Sequence, residues 1–439
     1  MDPATYIDPN LTVPDRLVLE HLLKEAESPA APKTPTNLSN PSQNEEEEQA
    51  TALDAQAQLT LQHLESLNDP HNSSTFTPTV TVTWDLPELR RRVPAWLLQP
   101  YIQTARSLVR VETDVVMLTH LLLYFSTSVP SALYLFFGTF HWWHGLLHWL
   151  MQSYYVGTYT LMMHQHIHMG GILTRSSSSL ITRVDSLFPY LLDPLMGHTW
   201  NSYYYHHVKH HHVEGNGPRD LSSTLRYQRD SPWDFACYVA RFYFLVWCEL
   251  PAYFLRRGQV VTALKAGLWE LGSYAMLCLA WRYGGWRPTL FVLLLPLLQL
   301  RVGLMVGNWG QHAFVDEVDP DSDFRSSITL IDVASNRFCY NDGYHTSHHL
   351  NPRRHWRDHP VAFLRQHARY AAEHALVFRN IDYIMITVRL LRKDYRYLAK
   401  CLVPMGEQIA MTLDEKAEML RRKTRQFSEE EIAKKFKTI

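Results

Sequence analysis

The chain has 439 residues, with 42 Lys plus Arg against 43 Asp plus Glu, so its formal net charge is -1. That balance excludes a nucleic-acid binder that works through a strong positive field. Five scattered cysteines without a CxxC pair exclude a thiolate zinc site and a disulfide-built scaffold. The unusual figure is 24 histidines, and their positions carry the functional reading.

Residues 1–85 read as a mostly disordered cytosolic tail. Between Ser28 and Gln49, four prolines (Pro29, Pro32, Pro35, Pro41) and the acidic run Glu45 to Glu48 leave too little apolar surface to offset ordering entropy. Short helical patterns flank that stretch: Leu17, Leu19, Leu22 and Leu23 before it, then Leu53, Leu59, Leu61 and Leu64. The start shows no basic segment followed by an apolar run, so no cleaved signal peptide is expected.

The composition then switches. Val115 to Met163 contains no Asp, Glu, Lys or Arg. A spanning helix needs roughly 20 apolar residues, so two spans are expected, near 115–137 and 140–162, with the turn by Gly138. A second apolar block predicts spans near 262–281 and 288–308, split at Arg282–Arg287; Lys265, Glu270 and Arg301 are costly residues inside it. Residues 235–254, with Arg241, Glu249 and Pro251, read as an interfacial helix, as do 187–196. The Arg90, Arg91, Arg92, Arg106, Arg110 cluster puts the N-terminal side in the cytosol, and Trp142, Trp143, Trp281 and Trp286 fall at the opposite interface. The predicted fold is an all-α integral membrane protein. A four-span bundle occupies residues 86–380 and carries a cytosolic helical cap; a cytosolic helical tail follows at 381–439.

Three histidine groups stand at the cytosolic ends of these spans. In His164-Gln-His-Ile-His168, His164 and His168 are i, i+4 and share a helix face. His207, His210 and His211 follow an i, i+3, i+4 spacing, and His345, His348 and His349 repeat it. The second group also contains His206 and His212, and His206 with His210 is again i, i+4, so a one-residue shift is open there. Eight imidazoles exceed the four to six ligands of a single ion, so the count asks for two metals. A zinc-protease reading of the first group fails, because Gln165 stands where HExxH needs its general base.

The pattern HxxxH, HxxHH, HxxHH, placed after the second span, between the span pairs and after the fourth, resembles the membrane fatty acid desaturase superfamily over roughly residues 85–380. The resemblance implies two non-haem iron ions, O2 as co-substrate and a lipid or acyl-carrier substrate. It also implies an external electron donor such as cytochrome b5 with its reductase. In that family a further histidine near the fourth span ligates iron, and an asparagine four residues earlier contacts an iron-bound water. These carry over to His312 and Asn308 within Asn308-Trp-Gly-Gln-His312. The implied ligands are then His164, His168, His207, His210, His211, His312, His345, His348 and His349. The chain has no HPGG haem motif and no GxGxxG fingerprint.

The chemistry agrees with the pattern. No side chain removes hydrogen from an unactivated alkyl C–H bond; a metal centre with activated dioxygen does. Desaturation is the first reading, and lipid hydroxylation on the same scaffold is the alternative. A metal transporter is the alternative from another class, and it would place ionisable ligands along the spans. A non-enzymatic adaptor would have lost ligand positions, and none is missing. His148, the nearest member of the stripe His141, His144 and His148, lies about 24 Å from His164 at 1.5 Å per residue, and the stripe reads as packing near the tryptophans. His166, Asp342, Glu214, Asp220 and Asp316 are candidates for orienting the ligands. Arg353, Arg354, Arg357 and Arg365 could dock an acidic donor. Lys435 and Lys437 form a KxKxx retrieval pattern for the endoplasmic reticulum, which requires a cytosolic C-terminus.

Overall fold

The computed structural model describes residues 2–27, 43–174 and 179–436. Helix α1 (Val13–Glu27) buries Val18, Leu19 and Leu22 in one cluster with Val361, Phe363, Leu364 and Tyr370. Its Asp15 carboxylate accepts hydrogen bonds from Asn336 and from the Tyr344 hydroxyl, each at 2.9 Å. At the end of α2 (Gln43–Asn68), the Asn68 side chain donates to the Arg357 carbonyl and accepts from the Arg357 guanidinium. The expectation of a disordered tail over 1–85 is therefore corrected for 2–27 and 55–85. Leu19 and Leu22 before the proline run, and Leu61 and Leu64 after it, find apolar partners far along the chain, which local composition does not reveal. Residues 28–42 of the Pro-rich stretch lie outside the described residues, as does Lys437 of the retrieval pattern.

After two short helices, α3 (Leu86–Arg92) and α4 (Ala95–Leu108), come α5 (Val115–Phe137) and α6 (Trp142–Met169). At 28 residues, α6 runs about 42 Å, against a hydrocarbon core of about 30 Å. Its last turns, with His164 and His168, thus project past any apolar slab centred on its Trp- and Leu-rich part. Helix α7 (Ser179–Leu195) exposes Leu180, Leu187 and Leu191 and buries Phe188 and Leu192, as an interfacial helix does.

Among the described residues, three helices are long and apolar enough to cross a membrane: Val115–Phe137, Pro232–Arg256 and Trp286–Gln311. The second was expected to lie in the interface, yet its 25 residues run as one helix with Phe244, Leu245 and Trp247 exposed. Two other expected spans fall on α6 and on the helix Val260–Leu279. Histidines and tyrosines dilute the apolar character of the first, as do Lys265 and Glu270 in the second, although both expose leucines to the outside. Glu270 and Arg301 form a buried ion pair, and Glu270 also accepts from Thr199 and Ser202 at 2.6 and 2.5 Å. Their burial inside apolar helices is thereby compensated.

The cap is not purely helical. Strand β1 (Ile328–Ile331) pairs in parallel with β2 (Leu376–Arg379), which pairs antiparallel with β3 (Leu402–Val403). All-α is corrected by this small sheet, whose strands are too short and too buried to alternate. Leu330 N–H donates to the Gly343 carbonyl at 2.6 Å, fixing β1 against the segment that enters the third histidine group. A Cβ at Gly343 would run into the Leu330 carbonyl and the Asn336 side chain. The segment beyond residue 381 is no separate tail. Ile386, Leu390, Leu398 and Leu420 share a core cluster with Trp309 and Phe314, and buried Arg229 donates to the carbonyls of Lys423 and Arg425.

Candidate metal centre

Four segments bring histidines to one buried place. The first is the end of α6, where Gly170 at φ 68° closes the helix in the left-handed region directly after His168. The second, Tyr204–His211, is a π-helix, in which the His212 N–H reaches back to the His207 carbonyl. The third is the short helix His345–Leu350. The fourth is His312, at the C-terminal end of the helix that contains Asn308.

The imidazoles form two groups whose ligand atoms lie within 4.8 Å of one another: His164, His168, His207, His212 and His348, and His211, His312, His345 and His349. In the first, Nε2 of His164 faces Nε2 of His207 at 2.8 Å and of His348 at 2.9 Å. His212 Nε2 lies 3.0 Å from His207 Nε2 and 2.7 Å from His348 Nε2. In the second, His345 Nε2 lies 3.3 Å from His312 Nε2 and 3.1 Å from His349 Nε2. The groups adjoin, with the rings of His212 and His349 5.1 Å apart.

Eight of the nine expected ligands are brought together; His210 is not, and His212 takes its place. The cause is the π-helix. Bonding five residues back instead of four widens the turn, so His207, His211 and His212 converge while His210 turns aside. His210 Nε2 instead accepts the Leu221 N–H at 2.8 Å and lies 3.5 Å from Asp220. His206 packs edge-on against Phe242 and belongs to neither group. Asn308 donates to the Ser222 carbonyl at 2.9 Å and to the Tyr238 hydroxyl at 2.7 Å.

The outer nitrogens have their own partners. His211 Nδ1–H donates to Asp220 at 2.8 Å and His312 Nδ1–H to the Ser326 carbonyl at 2.7 Å, so each ring aims its Nε2 inward. Burial resists ionisation of Asp220, but His211 beside it holds its carboxyl well below the usual range. His349 Nδ1 lies 3.4 Å from Asp323, a contact that the sequence reading missed because the two are far apart in the chain. His359, which contacts the Ser347 hydroxyl at 3.0 Å, was also missed. Glu214 and Asp316 face away: Glu214 pairs with Arg257, and Asp316 with Lys423. His166 sits against Phe188 and 3.6 Å from Asp185. His144 and His148 both bond the Ser131 hydroxyl at 2.9 Å, the packing role expected of them.

The donor set fits cations. Burial first, then the neighbouring imidazoles, holds His207, His212, His312, His345 and His348 well below the ordinary histidine range, so all are neutral. Neutral rings that aim Nε2 atoms at one another have too few protons to bridge every contact. Metal–nitrogen bonds of about 2.1 Å set adjacent ligands about 3 to 3.4 Å apart, close to the 2.7–3.3 Å separations here. His168 Nε2 is buried with no hydrogen-bond partner among the described residues, an orphan that a cation would satisfy.

A cavity of about 720 Å³ opens onto both groups, reaching His164 and His207 of one and His211 and His345 of the other. Leu161, Leu300, Leu304, Met305 and Phe338 give it apolar walls. Asp342 also lines it, accepts from Gln311 at 3.1 Å, and is pushed up to about 7 by burial.

The fatty acid desaturase family model matches residues 141–381, which hold every histidine of both groups. The chain belongs to the fatty acid desaturase family, a class of membrane-associated oxidoreductases that modify lipids at a histidine-rich metal site. No curated protein and no solved structure matches it. Neither the family nor the buried clustering of the histidines favours the transporter alternative.

Proposed function

We propose that the protein desaturates a lipid acyl chain, using O2 and two iron ions held by the two histidine groups. One ion would be held by His164, His168, His207, His212 and His348, the other by His211, His312, His345 and His349. The observation that carries the reading is the apolar cavity touching both groups: it suits a hydrocarbon chain and brings its methylenes to the metals. Iron with O2 would supply the oxidant that removes hydrogen from an unactivated C–H bond.

The remaining work belongs to the chain's own side chains. Asp220 and the Ser326 carbonyl hold His211 and His312 in one tautomer and orientation. Leu300, Leu304 and Met305 exclude water and position the acyl chain. Asn308 gives its amide N–H groups to Ser222 and Tyr238, so its side-chain oxygen would accept from a water held at the metal site. Asp342, which holds a proton near neutral pH, can donate a hydrogen bond to a polar part of the substrate.

Electrons would come from an external donor such as cytochrome b5 and its reductase. The expected basic docking patch is smaller than the sequence suggests. Arg357 is tied to Asn68 and the Thr77 carbonyl, Arg354 to Ser347, and Arg365 to Glu65. The location we infer is the endoplasmic reticulum membrane, with both termini and the histidine groups cytosolic.

The test compares lipids from cells expressing the wild type and His348→Ala. The expected result is a species lighter by two hydrogens with the wild type alone. A species heavier by one oxygen would replace desaturation with hydroxylation, and matching lipid profiles at equal expression would overturn the acyl-lipid assignment.

A further inference from the structure

Outside the two histidine groups, a third set of donors converges where α1 meets the cap. His21 and Glu25 are i, i+4 on α1 and share a face. His367 comes from the opposite end of the chain, at the start of the short helix His367–Ala372. One ligand atom from each of the three lies within 4.8 Å of the others. His367 Nε2 stands 3.6 Å from the Glu25 carboxylate, and its ring meets that of His21 edge to face, with centroids 5.2 Å apart. His21 is 6% exposed.

The tautomer of His367 is set from behind. Its Nδ1–H donates to the Leu364 carbonyl at 3.3 Å, the arrangement that metal-ligating histidines use to present Nε2. A carboxylate–histidine pair explains the 3.6 Å contact but not the second imidazole beside it. Two imidazoles and one carboxylate make a three-ligand zinc set with a fourth position left to water. Tetrahedral bonds of 2.0–2.1 Å would set the ligands about 3.4 Å apart, close to the Glu25–His367 separation. The three residues do not line the large cavity, so the ion would act as a clasp between packed elements and not as a second reaction centre.

We propose that His21, Glu25 and His367 bind a zinc ion that pins the N-terminal helix to the cap. The clasp acts on the reaction centre through α1: its Asp15 holds Asn336 and Tyr344, and Tyr344 directly precedes His345.

The experiment titrates Zn2+ into the iron-loaded full chain against a chromophoric chelator, for the wild type, Glu25→Gln and His367→Gln. The wild type is expected to take one zinc per chain beyond its iron. Both variants should bind that zinc at least about 10-fold more weakly, with iron content unchanged. Zinc should raise the thermal midpoint of the wild type but not of Glu25→Gln, a conservative change at a half-buried residue that leaves the fold intact. Equal zinc binding by the wild type and both variants would overturn the proposal, as would iron in place of zinc at these residues. A wild type that takes up this one zinc yet holds no iron would count against the desaturase reading instead.

Discussion

The exchange of His210 for His212 gives the sharpest prediction about the site. His212 Nε2 points at His207 and His348, whereas His210 Nε2 accepts the Leu221 N–H. Losing even an outer partner of a metal ligand costs about 10–100-fold in affinity, so removing a direct ligand costs at least that. His212→Ala should therefore retain about half the iron of the wild type after defined loading, and lose turnover. His210→Ala leaves one buried N–H without its acceptor, a cost on the order of 1–3 kcal/mol. It should lower the thermal midpoint yet keep both irons, and His210→Gln, which restores an acceptor, should recover part of that midpoint. Iron per chain by elemental analysis, with thermal unfolding in detergent, reads both effects. Half-loss of iron in His210→Ala together with full iron in His212→Ala would refute the π-helix argument.

Three other outcomes follow from the packing. Burial pushes the Asp15 carboxyl up to about 6, against hydrogen bonds from Thr12, Tyr344 and Asn336. The folded state thus holds an extra proton between about pH 4 and 6, and the stability this carries, about 3 kcal/mol, is present below about pH 4 and lost as pH rises through 6. The thermal midpoint should fall across that window, and Asp15→Asn should flatten the fall; an unchanged slope would contradict the assignment. Arg301→Ala leaves buried Glu270 uncompensated and should cost about 3–5 kcal/mol in denaturant unfolding, much of it recovered by adding Glu270→Leu. Gly303 lines the cavity with open space where a side chain would go; Gly303→Leu should keep the iron and the fold but shorten the longest acyl chain accepted, read as product chain lengths by mass spectrometry.

The first and third histidine groups were legible in the sequence because ordinary helical spacing put their ligands on one face. His312 was reached only through the family resemblance, since a single histidine after an apolar run has no spacing of its own. The second group misled because a π-helix was read with α-helical spacing. The doubling of candidates there, with His206 and His212 beside the expected three, was the visible sign. The partners of the ligands were partly legible: Asp220 lies nine residues from His211, but Asp323 and His359 meet the third group only through folding of the cap. The same limit explains the N-terminal segment. Leu19 and Leu22 read as an isolated amphipathic helix because Val361 and Phe363, which cover them, lie far along the chain. The β1–β2 pairing escaped detection because four-residue buried strands carry no alternation.

The central claim is iron- and O2-dependent removal of two hydrogens from an acyl chain. Its most direct measurement is a reaction of the purified, iron-loaded full chain with a chemical reductant, an acyl lipid and ¹⁸O2, with products read by mass spectrometry. The account predicts a lipid lighter by two hydrogens and free of ¹⁸O, formed only when iron and O2 are both supplied. A lipid that carries ¹⁸O, or the same product from iron-free protein, would contradict it.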